Sequence, residues 1–210
     1  MIYLKNNNIY NHHEFYILIT ICSLSYITNK YHLGIFFTIV IIFLLYFHRN
    51  IEYDTTNTKD NILYSPAQGK ILNIKKGKTT TKISIFLSVF DDHTQCIPIE
   101  CTKVNEIFNY GNFYFAQNEE GSEYNQQLKH ILKTKFGYIE IVQYTGFFTR
   151  RIYSLSSYQD KIYKIGDKLG YIRFGSRVDI FIPNRIINDI FVEKNMKINM
   201  LYPLVKLQLN

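Results

Sequence analysis

The chain has 210 residues, 47% hydrophobic and 16% aromatic, which is enough for one domain with a full core and one further segment. Its formal net charge of +7 calls for an anionic partner. The basic residues are scattered through a Tyr-, Ile- and Asn-rich background with neither a basic helix nor a zinc-finger spacing, so nucleic acid is excluded and an anionic membrane is expected.

Two apolar runs open the chain, Phe15–Ile27 and Leu33–Phe47, separated by the polar hinge Thr28-Asn29-Lys30-Tyr31-His32. Each falls short of the roughly 20 residues that a straight helical span needs, so a shallow hairpin or one tilted span competes with two crossings. Neither run is followed by a small-residue cleavage site, so residues 1–52 are expected to be a membrane anchor rather than a secretory signal. Lys30, Arg49 and Lys59 are too sparse to orient it.

Beyond Tyr53 and the polar linker Asp54–Asn61, short β-rich stretches follow one another in what is expected to be a catalytic domain over residues 53–210. The predicted strands are Lys70–Ile74, Lys82–Val89, Asn112–Ala116, Gly137–Gln143, Arg151–Leu155, Leu169–Phe174 and Val178–Ile182. Turn signals fall between them at Gly77, Gly111, Gly137, Gly166 and Pro183, the rhythm of a compact antiparallel β domain. Asn118–Leu132 reads as a helix or long loop, and Asn188–Val192 and Met200–Leu209 as added strands. The expected class is therefore mainly β (α+β), behind an N-terminal helical anchor.

Three cysteines, Cys22, Cys96 and Cys101, show no CxxC pattern and no paired His ligands, so a reducing compartment and no metal are expected. Two features carry chemistry. His93 follows a strand-like run in VFDDH, where its side chain can project from a strand end; by itself it is more often a structural histidine. Ser176 follows Gly175 between two strands; Gly-Ser in a turn is common. Together they allow a serine nucleophile with a histidine base, although FGSRV lacks the G-x-S-x-G elbow and disfavours an ordinary α/β-hydrolase.

Five co-linear blocks add a resemblance. The segments FLLYFHRNIEYD, YSPAQGKI (64–71), SIFLSVFDDHTQCIP (84–98), IVQYTGFFTRRI (141–152) and YKIGDKLGYIRFGSRVDIFIP (163–183) resemble, in order, those of the short bacterial and archaeal form of phosphatidylserine decarboxylase. The resemblance implies a proenzyme in which Ser176 attacks the carbonyl of Gly175 with His93 as base. The products are a β chain, 1–175, and an α chain whose first residue becomes a pyruvoyl group, the covalent cofactor. That carbonyl then supplies the electron sink for loss of CO₂ from phosphatidylserine, giving phosphatidylethanolamine.

By the same resemblance His93 is also the acid of the decarboxylation, and Arg150, Arg151, Arg173 and Arg177 are candidates for the lipid phosphate or carboxylate. The two chains are expected to stay together because Leu169–Phe174 and Val178–Ile182 pair. The implied location is the inner cell membrane with the catalytic domain on the cytoplasmic side; a homo-oligomer stays open.

The chain also departs from the family. Gln68 stands where the family's Ser-Pro-Ala-Asp-Gly segment has the Asp that orients the histidine, Thr94-Gln95-Cys96 replaces Val-Asn-Arg, and Asn125-Gln126-Gln127 replaces Asn-Glu-Arg. Either Asp91 or Asp92 orients His93 instead, or the chain stays uncut and acts as a membrane-associated lipid-binding pseudoenzyme. The Gly-Asp-x-Leu-Gly turn in YKIGDKLGYI also resembles lipoyl- and biotin-carrier domains, and the family fold is similar to their barrel-sandwich hybrid, but no Met-flanked lysine at a hairpin tip supports a carrier role.

Overall fold

The structure is a computed structural model that describes residues 12–47, 49, 53–147, 151–156, 161–172 and 175–209. The chain divides into two compact units, one within residues 4–51 and one that takes in residues 52–210.

The first unit is a helical pair, α1 (His12–Ile27) and α2 (Tyr31–Phe47). Asn29, at φ 57°, makes the reversal between them. Gly34 lets the pair close, because a Cβ there would lie 2.9 Å from the ring of Tyr26. The Cys22 thiol and Tyr26 hydroxyl meet Thr38 Oγ1 at 3.4 and 3.3 Å. Among the described residues no helix is long and apolar enough to cross a membrane.

The second unit is mainly antiparallel β. Its strands in chain order are β1 (Ile62–Tyr64), β2 (Gly69–Lys76), β3 (Thr80–Leu87), β4 (Thr94–Cys96), β5 (Cys101–Asn109), β6 (Gln127–Thr134) and β7 (Gly137–Tyr144), followed by β8 (Ile152–Ser154), β9 (Ile162–Tyr163), β10 (Lys168–Ile172), β11 (Ser176–Pro183), β12 (Ile187–Ile190), β13 (Lys197–Ile198) and β14 (Pro203–Leu207). They form an eight-stranded sheet in the order β13-β2-β3-β11-β7-β6-β5-β9 and two three-stranded sheets, β1-β14-β12 and β4-β10-β8. Among the described residues the large sheet is open, with β13 and β9 at its edges.

Strand β11 sits in the middle of that sheet because it can be buried on both faces. Val178, Ile180 and Ile182 point into the apolar core, each burial worth about 1.5–3 kcal/mol. Arg177 and Asp179 alternate with them and are buried on the other face. The β6–β7 hairpin is set by Thr134 and Gly137, which face each other in register. Gly137 takes φ 135°, where a side chain would be strained, and the Thr134 hydroxyl donates to its carbonyl at 2.8 Å.

Four expectations from the sequence need correction. Asn118–Leu132 is a single helical turn, α3 (Glu119–Ser122), followed by strand. Leu128, His130, Leu132 and Thr134 are buried in alternation, and that period of two, paired on both sides, overrides the local Glu/Gln helix preference. Asn112–Ala116 is not a strand, because the Asn125 side chain takes over its backbone bonds, accepting from the Tyr114 N–H at 2.7 Å and donating to its carbonyl at 2.9 Å.

Two strands, β4 and β5, fall in a region with no predicted element. Finally, β10 and β11 do not pair with each other. β10 pairs with β4 and β8, whereas β11 pairs with β3 and β7, so the chain changes sheets between Ile172 and Ser176.

Candidate functional site

The site is built where β11 begins, from three loops, of which the second and third meet Gly175. The first is Ser65–Gly69. The Ser65 hydroxyl donates to the Ala67 carbonyl at 2.6 Å, and the Pro66 carbonyl accepts the Cys96 N–H at 2.9 Å, which docks the loop on β4. This presents Gln68 to the second loop, where its Oε1 accepts the backbone N–H of Asp92 at 3.1 Å.

The second loop, Ser88–His93, is held by its own carboxylates. Asp91 Oδ2 accepts from Ser88 N and Oγ at 2.7 and 2.8 Å. Asp92 accepts from the Thr94 N–H and from the Tyr53 hydroxyl, both at 2.9 Å. Among the described residues neither carboxylate is hydrogen-bonded to the imidazole. The His93 ring is fully buried, with Nδ1 2.9 Å from the backbone carbonyl of Asp91 and Nε2 3.1 Å from the N–H of Gly175. A carbonyl only accepts and an N–H only donates, so the ring carries its proton on Nδ1 and turns the Nε2 lone pair toward residue 175.

The third loop follows β7. A Cβ on Gly146 would collide with the carbonyl oxygen of Gly175, so glycine is required there for the two backbones to touch. Gly175 itself has φ 63°, in the left-handed region. Ser176 is fully buried, and its hydroxyl has no hydrogen-bond partner among the described residues. An unpartnered buried hydroxyl costs stability, and the native fold bears that cost directly after Gly175, whose N–H meets His93 and whose carbonyl lies against Gly146.

Behind His93 lies a buried polar chain that sequence reasoning did not find. The His93 carbonyl accepts from Gln95 Nε2 at 2.8 Å and from the Ile172 N–H at 3.1 Å. Because that carbonyl only accepts, Gln95 must turn its Oε1 to the next group, Gln143 Nε2, and Gln143 its Oε1 to His130 Nε2, 2.8 Å away. His130 Nδ1 faces Glu106 Oε2 at 3.2 Å. The Glu106 carboxylate also takes the Ser154 hydroxyl at 2.6 Å and the Lys103 ammonium, whose pKa burial lowers to about 8. One direction of donation thus runs from His130 through Gln143 and Gln95 to the backbone carbonyl of His93, with the Glu106 carboxylate facing the other ring nitrogen.

The four arginines separate. Arg150 and Arg173 lie outside the described residues. Arg151 is exposed. Arg177 is fully buried, with Nε 3.0 Å from Asp179 Oδ1, Nη1 donating to Ser122 Oγ and its guanidinium 4.4 Å above the Tyr144 ring. Burial, reinforced by the Asp179 charge, pushes the Tyr144 hydroxyl up to about 12. Arg177 is thus an internal clamp for the start of β11 and is not presented at a surface.

Next to Gln68 opens a cleft of about 540 Å³, lined among others by Lys70, Phe86, Asp91 and Lys197. Lys70 and Lys197 are direct cross-strand partners. Like charges so placed repel, and an anion between them relieves the repulsion.

Gln143 and Gly146 both lie in the block IVQYTG, so the signal for them was present in the sequence; His130 and Glu106 carry none beyond strand alternation. A family model described as phosphatidylserine decarboxylase matches residues 40–202. The chain is 32% identical over 167 residues to the phosphatidylserine decarboxylase proenzyme of Geobacter metallireducens, with 76% of each chain covered. It is 37% identical over 155 residues to that of Desulfotalea psychrophila, covering 70% of this chain and 72% of the relative. To the proenzyme of Carboxydothermus hydrogenoformans it is 31% identical over 176 residues, covering 80% and 81%.

Proposed function

The chain belongs to the phosphatidylserine decarboxylase family, and from that premise we propose that it cuts itself between Gly175 and Ser176 and then converts phosphatidylserine to phosphatidylethanolamine and CO₂. The observation that carries this is a buried Ser176 hydroxyl with no hydrogen-bond partner among the described residues, next in the chain to Gly175, whose N–H meets the Nε2 lone pair of His93.

In the cut, the Ser176 oxygen bonds to the Gly175 carbonyl carbon and the peptide C–N bond breaks, moving the acyl group from nitrogen to oxygen. His93 takes the hydroxyl proton. Loss of the α-proton of residue 176 then breaks its Cβ–O bond and releases Gly175 as a carboxylate. Water finally replaces the nitrogen of residue 176, which leaves as ammonia. Gly146 supports this sequence by leaving room for the Gly175 carbonyl, which a side chain there would displace.

The residues fit the group so made. Ser176 is the first residue of β11, so its carbonyl carbons would stay anchored between β3 and β7. A pyruvoyl group supplies an electron sink conjugated to the substrate nitrogen, which is what loss of CO₂ requires. His93 turns Nε2 toward residue 175, so a proton taken up there can be delivered after CO₂ leaves. The cleft with Lys70 and Lys197 suits the phosphodiester of the headgroup, leaving the carboxylate uncompensated and free to depart.

Gln68 does not silence the site in this account. The orienting partner of the imidazole is the Asp91 carbonyl, a backbone group that no side-chain exchange removes. That the relatives carry the name proenzyme favours a processed enzyme over an uncut lipid-binding protein. The two chains would stay associated through β11, which contributes a central strand to the large sheet.

The helical pair serves as the anchor in this proposal, embedded from the cytoplasmic face of the inner membrane. At 17 residues, α2 is about 25 Å long against a hydrocarbon core of about 30 Å, so a hairpin within the bilayer fits better than two crossings.

The test is release of CO₂ from carboxyl-labelled phosphatidylserine by the purified full chain in detergent. Release is expected from the native protein and none from His93→Ala. Equal release from both, or none from either, would overturn the proposal.

A further inference from the structure

Two half-exposed phenylalanines stand at the lip of the site. Phe115 and Phe147 are 61% and 48% exposed, yet their rings stack 4.8 Å apart at an interplanar angle of 12°. Phe147 follows Gly146, the residue that touches the Gly175 carbonyl, and Phe115 precedes Ala116, whose Cβ lies 3.4 Å from the Cβ position of Gly146. The stack is therefore tied to the peptide that reacts.

Its geometry is preorganised from beneath. Asn125 is almost completely buried, and its Nδ2 donates to the carbonyls of Tyr114 and Thr145 at 2.9 and 2.7 Å. One side chain thus clamps the loop that carries Phe115 to the loop that carries Phe147. A soluble surface gains nothing from a clamped, stacked pair of aromatic rings held in water, and such patches mark a contact with something apolar.

We propose that the Phe115–Phe147 stack is a membrane-docking tip that enters the interface of an anionic bilayer and holds the mouth of the site against its lipid substrate. The choice of a bilayer as the occupant rests on the decarboxylase function proposed above, and charge complementarity supports it. The chain carries +7, and Lys70 and Lys197 line the cleft beside the same loops, so cations flank the aromatic tip as an anionic surface requires.

The chain contains no tryptophan, so a Phe115→Trp substitution places a single fluorophore in the tip. The control is Tyr138→Trp, an exposed position at the opposite end of β7. Each full-length variant is bound to vesicles of phosphatidylcholine and phosphatidylglycerol with brominated acyl chains. The Phe115→Trp emission is expected to move to the blue and to fall several-fold, while the Tyr138→Trp emission stays unchanged.

Equal quenching of the two, or none at Phe115→Trp with the chain vesicle-bound, would overturn the proposal. A blue shift that needs no lipid and grows with protein concentration would overturn it in favour of a second protein chain. The readout does not depend on the cut, so a quenched tip on an uncut chain would refute the enzyme and leave the docking tip standing.

Discussion

With Ser176 replaced by alanine, the chain is expected to remain one uncut polypeptide and to release no CO₂ from phosphatidylserine, without any loss of fold stability. The first half follows from chemistry, since no other atom of residue 176 can accept the acyl group of Gly175. The second half is specific to this structure. The Ser176 hydroxyl is buried and has no hydrogen-bond partner among the described residues, so removing it deletes a desolvated polar group and leaves none of them unsatisfied. A thermal melt of Ser176→Ala should match or exceed that of the native, self-cut protein. A marked drop in melting temperature would show that the hydroxyl serves packing and that its loss of function has another cause.

The second large effect is expected at Asp179. Replacing it by alanine removes the carboxylate 3.0 Å from Arg177 Nε and leaves a guanidinium inside the sheet, while Lys82 Nζ, 3.8 Å from Asp179 Oδ2, keeps Glu123 as a partner at 3.1 Å. Breaking a buried pair from one side costs about 3–5 kcal/mol, against the 5–15 kcal/mol that typically separates folded from unfolded chains. For a chain of this size the melting temperature should fall on the order of 10 °C.

Removing both charges together, as Arg177→Met with Asp179→Leu, should recover most of that loss, because an apolar pair of similar volume is often neutral in such a position. If Asp179→Ala melts within a degree or two of the native chain, the pair is not what holds the start of β11.

These expectations show what could be read directly from residues. Strands β7 and β11 were legible because Ile139, Ile141, Val178, Ile180 and Ile182 alternate along β-branched runs whose partners flank them closely. The stretch 118–132 was misread because its Glu and Gln content favours helix locally, while the pairing that makes Gln127–Thr134 a strand comes from β5 and β7.

His93 and Gly175-Ser176 were legible through motif order, yet the group that orients the imidazole was not, because it is a backbone carbonyl and the motif carries only side chains. Gln68 looked like a lost triad partner; in the fold its amide braces the Asp92 N–H. Arg177 looked like a headgroup ligand because arginine beside a reacting serine suits phosphate. Only the burial of both faces of β11 shows that it answers Asp179 instead. The chain from Gln95 through Gln143 to His130 joins positions 95, 143 and 130, which no local pattern relates.

The central claim is that this fold cuts its own backbone at Gly175–Ser176, and intact-mass measurement of the full chain purified from membranes in mild detergent tests it most directly. The account predicts two species, one ending in the free carboxylate of Gly175 and one beginning at residue 176, lighter by one ammonia than a peptide starting with serine. A single uncut mass, or a cut at any other bond, would contradict it.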